Sequence, residues 1–442
     1  MAYIAHSESD RQEMLKALGV ESFDALIESV PAEARLKKPL NLPPALSEME
    51  AVTHLQALAD QNRRGLLFVG GGAYDHYIPA AVRHILLRPE FYTAYTPYQA
   101  EVSQGTLQAI FEYQSLICEL TGMEVANASM YDGGSALAEA ALMALHHTGR
   151  DQILVADNLN PFYRQILQTY LNDQPVELIE IPLQDGAVDQ AALQALLSER
   201  TAAVLVQNPN FYGIVEDLDG LAEPIHQAGG LLVVSVDPIS LSLLKPPGAY
   251  GADIVVGEGQ ALGNPLNFGG PYLGLFASRR ALIRRMPGRI VGVTEDGQGR
   301  RGFVTVLQTR EQQIRREKAT SNICTNSQLC ALAATVYLSL LGREGFREVG
   351  RQCLQKSHYL AGQIEKIPGF KRRFNRPFFK EFAVSTPVPA AQIVRDLQEE
   401  NIYPGLDLEK LGMGEGLLIA VTEKRSRQEM DRLVAALKTY QA

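Results

Sequence analysis

The sequence predicts an α/β fold: a large doubly wound domain on a mainly parallel sheet, followed by a smaller C-terminal α+β domain. Two observations predict the large domain. Short, wholly apolar runs such as 231–236 and 254–256 lie between segments whose apolar residues recur at helical spacing. Continuous apolar strands between helices mark a parallel sheet covered on both faces. The third observation is that this alternation stops near Asn326, where long helical runs and a few short strands take over.

The elements follow in order. Ser7-Glu8-Ser9-Asp10 can cap a helix through Met14, Leu15 and Leu18 that stops at Gly19. Ser22 opens a second, with Phe23, Leu26 and Ile27 on one face; residues 40–44 are proline-punctuated; Ser47 opens a third, with Val52, Leu55, Leu58 and Ala59 at helical spacing. Residues 1–65 therefore read as a helical arm. In the large domain, 66–325, Ser103 can cap a helix carrying Leu107, Ile110, Phe111 and Ile117 and ending at Gly122. A helix follows Asp132-Gly133-Gly134-Ser135 and ends at Gly149. Strands are predicted at 153–155, 176–181, 202–206, 231–236, 254–256 and 272–277, and helices at 163–171, 189–197 and 217–227. The small domain, 326–442, holds helices at 328–341 and 344–367, strands near 381–385 and 417–421, and helices at 390–400 and 426–438.

The composition bounds the function. The chain has 442 residues, 46% hydrophobic and 21% charged, as in a soluble globular protein. A net charge of -9 argues against nucleic acid or an anionic membrane as a partner. No apolar run approaches the ~20 residues that span a bilayer, and the first residues lack the apolar core of a signal peptide. Cys118, Cys324, Cys330 and Cys353 form no C-x-x-C pair, which disfavours a zinc site or redox dithiol. A cytoplasmic location is expected.

A large doubly wound domain with a small α+β domain is the layout of fold type I pyridoxal-phosphate (PLP) enzymes, and PLP requires a phosphate cup, a pyridine-nitrogen partner and a Schiff-base lysine. A phosphate cup can form at Asp132, Gly133, Gly134 and Ser135, where free N–H groups open a helix; the same residues also make an ordinary loop-to-helix turn. Asp237, at the end of an apolar strand, suits a pyridine-nitrogen partner or a turn residue before Pro238. The Schiff-base lysine should follow the next strand, and there the chain reads Gly257-Glu258-Gly259-Gln260-Ala261. No lysine lies between Lys245 and Lys318. Glutamine forms no imine, so the cofactor pocket is expected to be vestigial. Lys245 precedes the strand and Lys318 sits in a charged run, leaving a self-sufficient PLP enzyme as the weaker alternative.

Several strings resemble the glycine decarboxylase P-protein family of the glycine cleavage system. They are Gly70-Gly71-Gly72-Ala73-Tyr74-Asp75-His76-Tyr77, Tyr95-Thr96-Pro97-Tyr98-Gln99-Ala100-Glu101-Val102-Ser103-Gln104-Gly105, Asn127-Ala128-Ser129-Met130-Tyr131-Asp132-Gly133 and the run from Thr309 to Thr325. With Gln260 near the lysine's place, the chain resembles the first subunit of the split form. The resemblance implies an assembly with two copies of each chain and PLP held covalently on the partner subunit. The implied reaction decarboxylates glycine and passes the aminomethyl group to the lipoyl arm of the H-protein. It also implies an active site near the contact between subunits, which polar residues of this chain can complete. Thr96, Tyr98, Gln99, Glu101, Ser103 and Gln104 are candidates, with a structural turn capped by Ser103 as the alternative. Arg315, Lys318, Thr320, Ser321 and Asn322 are a second set, with intersubunit salt bridging as the alternative. A docking role without catalysis is a further reading. His76 is a proton-transfer candidate or a structural histidine, and adjacent His146 and His147 point to different sides of a helix, a poor metal pair.

Overall fold

The computed structural model describes residues 6–38, 40–267 and 269–441; the first five residues of the expected arm lie outside them. The chain forms two compact units, Met1–Arg64 and Gly65–Ala442. In the first, α1 (Glu8–Ala17) and α3 (Glu48–Ala59) begin at capping boxes on Ser7 and Ser47, and Ser22 caps the single turn α2 (Phe23–Leu26). None of the three helices buries a residue, and Phe23, Val52 and Leu55 stay exposed.

The second unit is built on a seven-stranded sheet. Its strands are β1 (Val125–Ala126), β2 (Gln152–Ala156), β3 (Glu177–Ile181), β4 (Thr201–Asn208), β5 (Leu231–Val236), β6 (Ile254–Glu258) and β7 (Gly274–Ser278), in the order β1-β7-β6-β5-β4-β2-β3. The four pairings that run from β3 to β6 are parallel; at the other edge β7 pairs antiparallel with both β6 and β1. Period-2 alternation splits the strands between two apolar layers. Leu154, Val204, Val206, Leu232, Val234 and Val255 enter one core, and Ile153, Val155, Leu205, Val233, Ile254 and Val256 the other. Each such side chain, fully buried, contributes roughly 1.5–3 kcal/mol. This is why the strands read as unbroken apolar runs.

Helices α4 (Gln104–Thr121), α5 (Gly133–Thr148) and α6 (Pro161–Leu171) cover the sheet; α5 is buried along nearly its whole length. A hairpin of β8 (Ile290–Glu295) and β9 (Arg301–Val306), which the sequence pattern did not reveal, packs on α4. Then α7 (Gln328–Ile364) runs on as one element broken at Gly342. By length and composition α7 could cross a membrane, but its Ala331, Ala333, Ala334 and Tyr337 belong to a sheet core. The last sheet is antiparallel, β10 (Lys371–Arg372), β11 (Glu381–Ser385), β12 (Leu406–Asp407) and β13 (Leu417–Ala420) in the order β10-β11-β13-β12. It packs with α8 (Ala390–Glu399) and α9 (Arg427–Leu437) on a third core.

Two local expectations are corrected. The helix expected at 217–227 is only Ala222–Gln227, because the Asp217 carboxylate accepts from the Asp219 N–H and turns the chain first. Ser103 makes no side-chain cap on α4. The adjacent Gln104 side chain instead donates to the Ala100 and Phe303 carbonyls and accepts from the Phe303 N–H, tying the helix start to β9.

Candidate functional site: a filled crevice at the strand ends

In an open parallel sheet, ligands bind beyond the carboxyl ends of the strands. Here β5 delivers Asp237 to that edge, β6 delivers Glu258 and Gln260, and the N-terminus of α5 stands alongside. The glycine-rich loop 70–77 enters the same space. Gln260, 1% exposed, accepts from the Tyr74 N–H at 2.8 Å and donates to the Tyr74 and Asn264 carbonyls.

The centre of the crevice is Lys380, a residue the sequence reading did not single out. It is 1% exposed. Its Nζ lies 2.8 Å from Asp237 Oδ2, 3.0 Å from His76 Nε2 and 3.5 Å from the centre of the Tyr74 ring. A lysine is almost never fully buried without a partner, and this one has a carboxylate, an imidazole and an aromatic face. Burial and the nearby lysine charge hold His76 below its usual range. The assignable tautomer then has Lys380 donating to Nε2 while Nδ1–H donates to Glu423 at 2.6 Å. Burial opposes ionisation of Glu423, but hydrogen bonds from His76 and the Tyr77 N–H outweigh it and keep this carboxyl well below the usual carboxylate range. His76 Nδ1, Cys353 Sγ and Glu423 are close enough to hold a cation in common. The lysine ammonium on the other imidazole nitrogen disfavours one there.

Glu381, next in sequence, accepts from the Gly71 N–H at 2.7 Å and from the Tyr74 hydroxyl at 2.6 Å. Burial pushes its carboxyl up to about 7 against those bonds, and the same burial, with Glu381 beside it, raises Tyr74 far above the ordinary phenol range.

At the predicted phosphate cup, Asp132 forms a capping box with Ser135. The Gly133 N–H is already engaged, donating to Glu258 Oε2 at 3.0 Å, while Glu258 Oε1 accepts from the N–H groups of Gln260 and Leu273. Burial pushes Glu258 up to about 8 despite these donors. Gly133 is required sterically: a Cβ there would lie 2.6 Å from the Tyr163 hydroxyl and 2.9 Å from the Glu258 nitrogen. Asp132, Gly133, Gly134, Ser135, Asp237 and Gln260 thus border one crevice, joined through Glu258, Tyr74 and Lys380.

The other candidates lie elsewhere. Thr320, Ser321 and Asn322 line a second cleft with Arg316, Glu139 and Tyr170. Ser321 donates to Glu139 at 2.8 Å, and burial pushes Glu139 up to about 7. Arg315 and Lys318 are exposed on the same run, and Arg310 is buried upstream, donating to the Met286 and Gly288 carbonyls. In the segment before α4, Tyr98 is 66% exposed, with Tyr92, Tyr95 and Val102 also exposed. Gln99 and Glu101 are exposed too, while the Thr96 hydroxyl is enclosed and has no hydrogen-bond partner among the described residues. Lys245 pairs with Asp219 on the surface and lies over the Tyr250 ring.

Comparison with known proteins gives a consistent set of likenesses. A family model described as glycine cleavage system P-protein matches residues 1–437. A probable glycine dehydrogenase (decarboxylating) subunit 1 of Chlorobaculum parvum is 54% identical over 443 residues, 99% of each chain. One of Moorella thermoacetica is 53% identical over 440 residues, again 99% of each. The crystal structure of a glycine decarboxylase (P-protein) of the glycine cleavage system in inhibitor-bound form superposes with a TM-score of 0.93 at 45% identity, covering 100% of both chains. An alanine–glyoxylate aminotransferase from Nostoc sp. shares the fold at 18% identity, with a TM-score of 0.60 over 91% of this chain and 97% of its own.

Proposed function

The chain belongs to the glycine cleavage system P-protein family, and we propose that it is the glycine dehydrogenase (decarboxylating) subunit that does not itself anchor PLP. One observation carries this reading: Gln260, not a lysine, stands after β6, and the lysine that does reach the crevice is engaged with Asp237. PLP on a second subunit supplies the electron sink for decarboxylation of glycine. The aminomethyl group then passes to the lipoyl arm of the H-protein, whose disulfide is reduced. Two copies of each subunit, in the cytoplasm, complete this reading.

The contribution of this chain is orientation and exclusion of water at a shared site. Two features support it. The exposed tyrosines before α4 form the kind of aromatic surface found at interfaces, beside an enclosed Thr96 hydroxyl that has no partner among the described residues. The cleft of Arg316, Ser321 and Asn322 offers a guanidinium and neutral donors to a carboxylate.

The test is borohydride reduction with PLP followed by peptide mass spectrometry, on this chain alone and with its companion. Label only on the companion is the expected result. Stoichiometric label on Lys245, Lys318 or Lys380 would make this chain a PLP enzyme in its own right.

A further inference from the structure

The residues of the crevice do not fit PLP. A PLP site keeps a carboxylate free for the ring nitrogen, leaves helix-start N–H groups free for phosphate, and supplies a lysine for the aldehyde. Here Asp237 is paired with Lys380 at 2.8 Å, the Gly133 N–H is bonded to Glu258 at 3.0 Å, and Gln260 is held by both backbone groups of Tyr74. The Tyr74 ring lies against the Lys380 ammonium.

We propose that the chain carries an internal substitute for the cofactor: Lys380 stands as the cation opposite Asp237, Glu258 as the acceptor on the glycine turn, and Tyr74, its backbone held by Gln260, as the aromatic ring against the Lys380 ammonium. The substitute does more than fill space. Asp237 belongs to the end of a large-sheet strand, whereas Lys380 immediately precedes β11 of the small sheet. Glu381 continues the link to Gly71 and Tyr74, and His76 continues it to Glu423, just after β13. The pairing therefore fastens the small sheet and loop 70–77 onto the large sheet. In an enzyme that admits and releases ligands these parts need freedom to move; here they are locked into one rigid body suited to a partner subunit. The proposal rests on the reading above that this chain anchors no PLP.

The test uses the full-length chain in complex with its PLP-carrying companion. Lys380→Met, Asp237→Asn and the double variant Asp237→Leu/Lys380→Met are compared by melting temperature and hydrogen exchange. Each single change strands a buried charge or polar group and is expected to lower the melting temperature by roughly 5 °C. Each also raises exchange in 70–77 and 378–385. The double variant removes both partners and is expected to lose less than the sum of the singles. If Lys380→Met does not fold, recovery of the fold in the double variant is the same result. Additive losses, or near wild-type melting in Asp237→Asn with no change in exchange, overturn the proposal. Borohydride labelling separates the two readings: label on Lys380 sinks the PLP-free function, while additive losses without any label sink only the internal substitute.

Discussion

Glu258→Gln tests whether the crevice holds a neutral carboxyl group or an anion. Burial pushes Glu258 up to about 8 from an ordinary value of 4.5. A carboxyl group whose folded value is raised favours the folded state in its protonated form. Its contribution is therefore complete below the unfolded value and is lost as pH rises through the folded one. Between pH 5.5 and 7.5 the loss works out to about 2.5 kcal/mol, or roughly 3 °C in melting temperature for a chain of this size. Glutamine cannot titrate, so the variant escapes that loss. It has its own cost: its amide group would meet the Gly133 N–H donor to donor where Glu258 Oε2 now accepts, about 1–3 kcal/mol at any pH. The variant should thus be the less stable protein at pH 5.5, and the gap should narrow or close by pH 7.5. Glu139 and Glu381, also raised, titrate in both proteins and cancel in the difference. Denaturation of both proteins across this pH range is the assay. Parallel profiles would refute the reasoning and show that the three backbone donors keep Glu258 ionised.

The remaining expectations concern the interface, the second cleft and the fastening of the sheets. Gly213→Ala should destabilise the chain by about 3 kcal/mol or more, because its φ is +82° and a Cβ would lie 1.9 Å from the Glu381 carbonyl oxygen; a urea midpoint near wild type would contradict this. Arg316→Ala, in the cleft with Ser321 and Asn322, should lower kcat/KM for glycine in the reconstituted complex by roughly 10-fold without changing the melting temperature; unchanged kinetics would remove this cleft from the reaction. Tyr98→Ala with Glu101→Ala should leave the isolated chain as stable as wild type, since both side chains are exposed, yet reduce turnover of the complex. Intact turnover would favour docking without catalysis.

What the sequence reveals is what is local. The apolar runs at β4, β5 and β6 are legible because both faces of the sheet are buried, so alternation disappears and only apolar residues remain. Ser7, Ser47 and Asp132 are legible as caps because a cap is settled within four residues. Ser103 fails by the same rule: Gln104 finds a partner in β9, far along the chain, and no local pattern foretells it. That Gln260 rather than a lysine follows β6 is visible in sequence, whereas the pairing of Lys380 is not, since Asp237 and Lys380 are brought together only by the packing of two sheets. A signal was present all the same. Lys380 and Glu381 interrupt the aromatic run Phe378-Phe379-Lys380-Glu381-Phe382, and charges amid residues bound for a core require partners.

That requirement explains why the crevice beside Gln260 is filled rather than empty. Asp237 ends a strand whose preceding residues are all buried or nearly so, and its side chain is little exposed. A carboxylate in that position needs a counter-ion, which a bound pyridinium would supply and which Lys380 supplies from within the chain. The Gly133 N–H at the start of α5 likewise needs an acceptor, and Glu258 provides one. Each replacement satisfies a group that burial makes costly to leave alone, and each comes from an element adjoining the crevice. A search for chains of this fold that do not bind PLP should therefore look beyond the absence of a lysine after the strand. It should ask for a second lysine aimed at the aspartate and an acceptor aimed at the glycine turn. A chain lacking the anchor but also lacking both substitutes would be expected to hold some other cation and anion in their place.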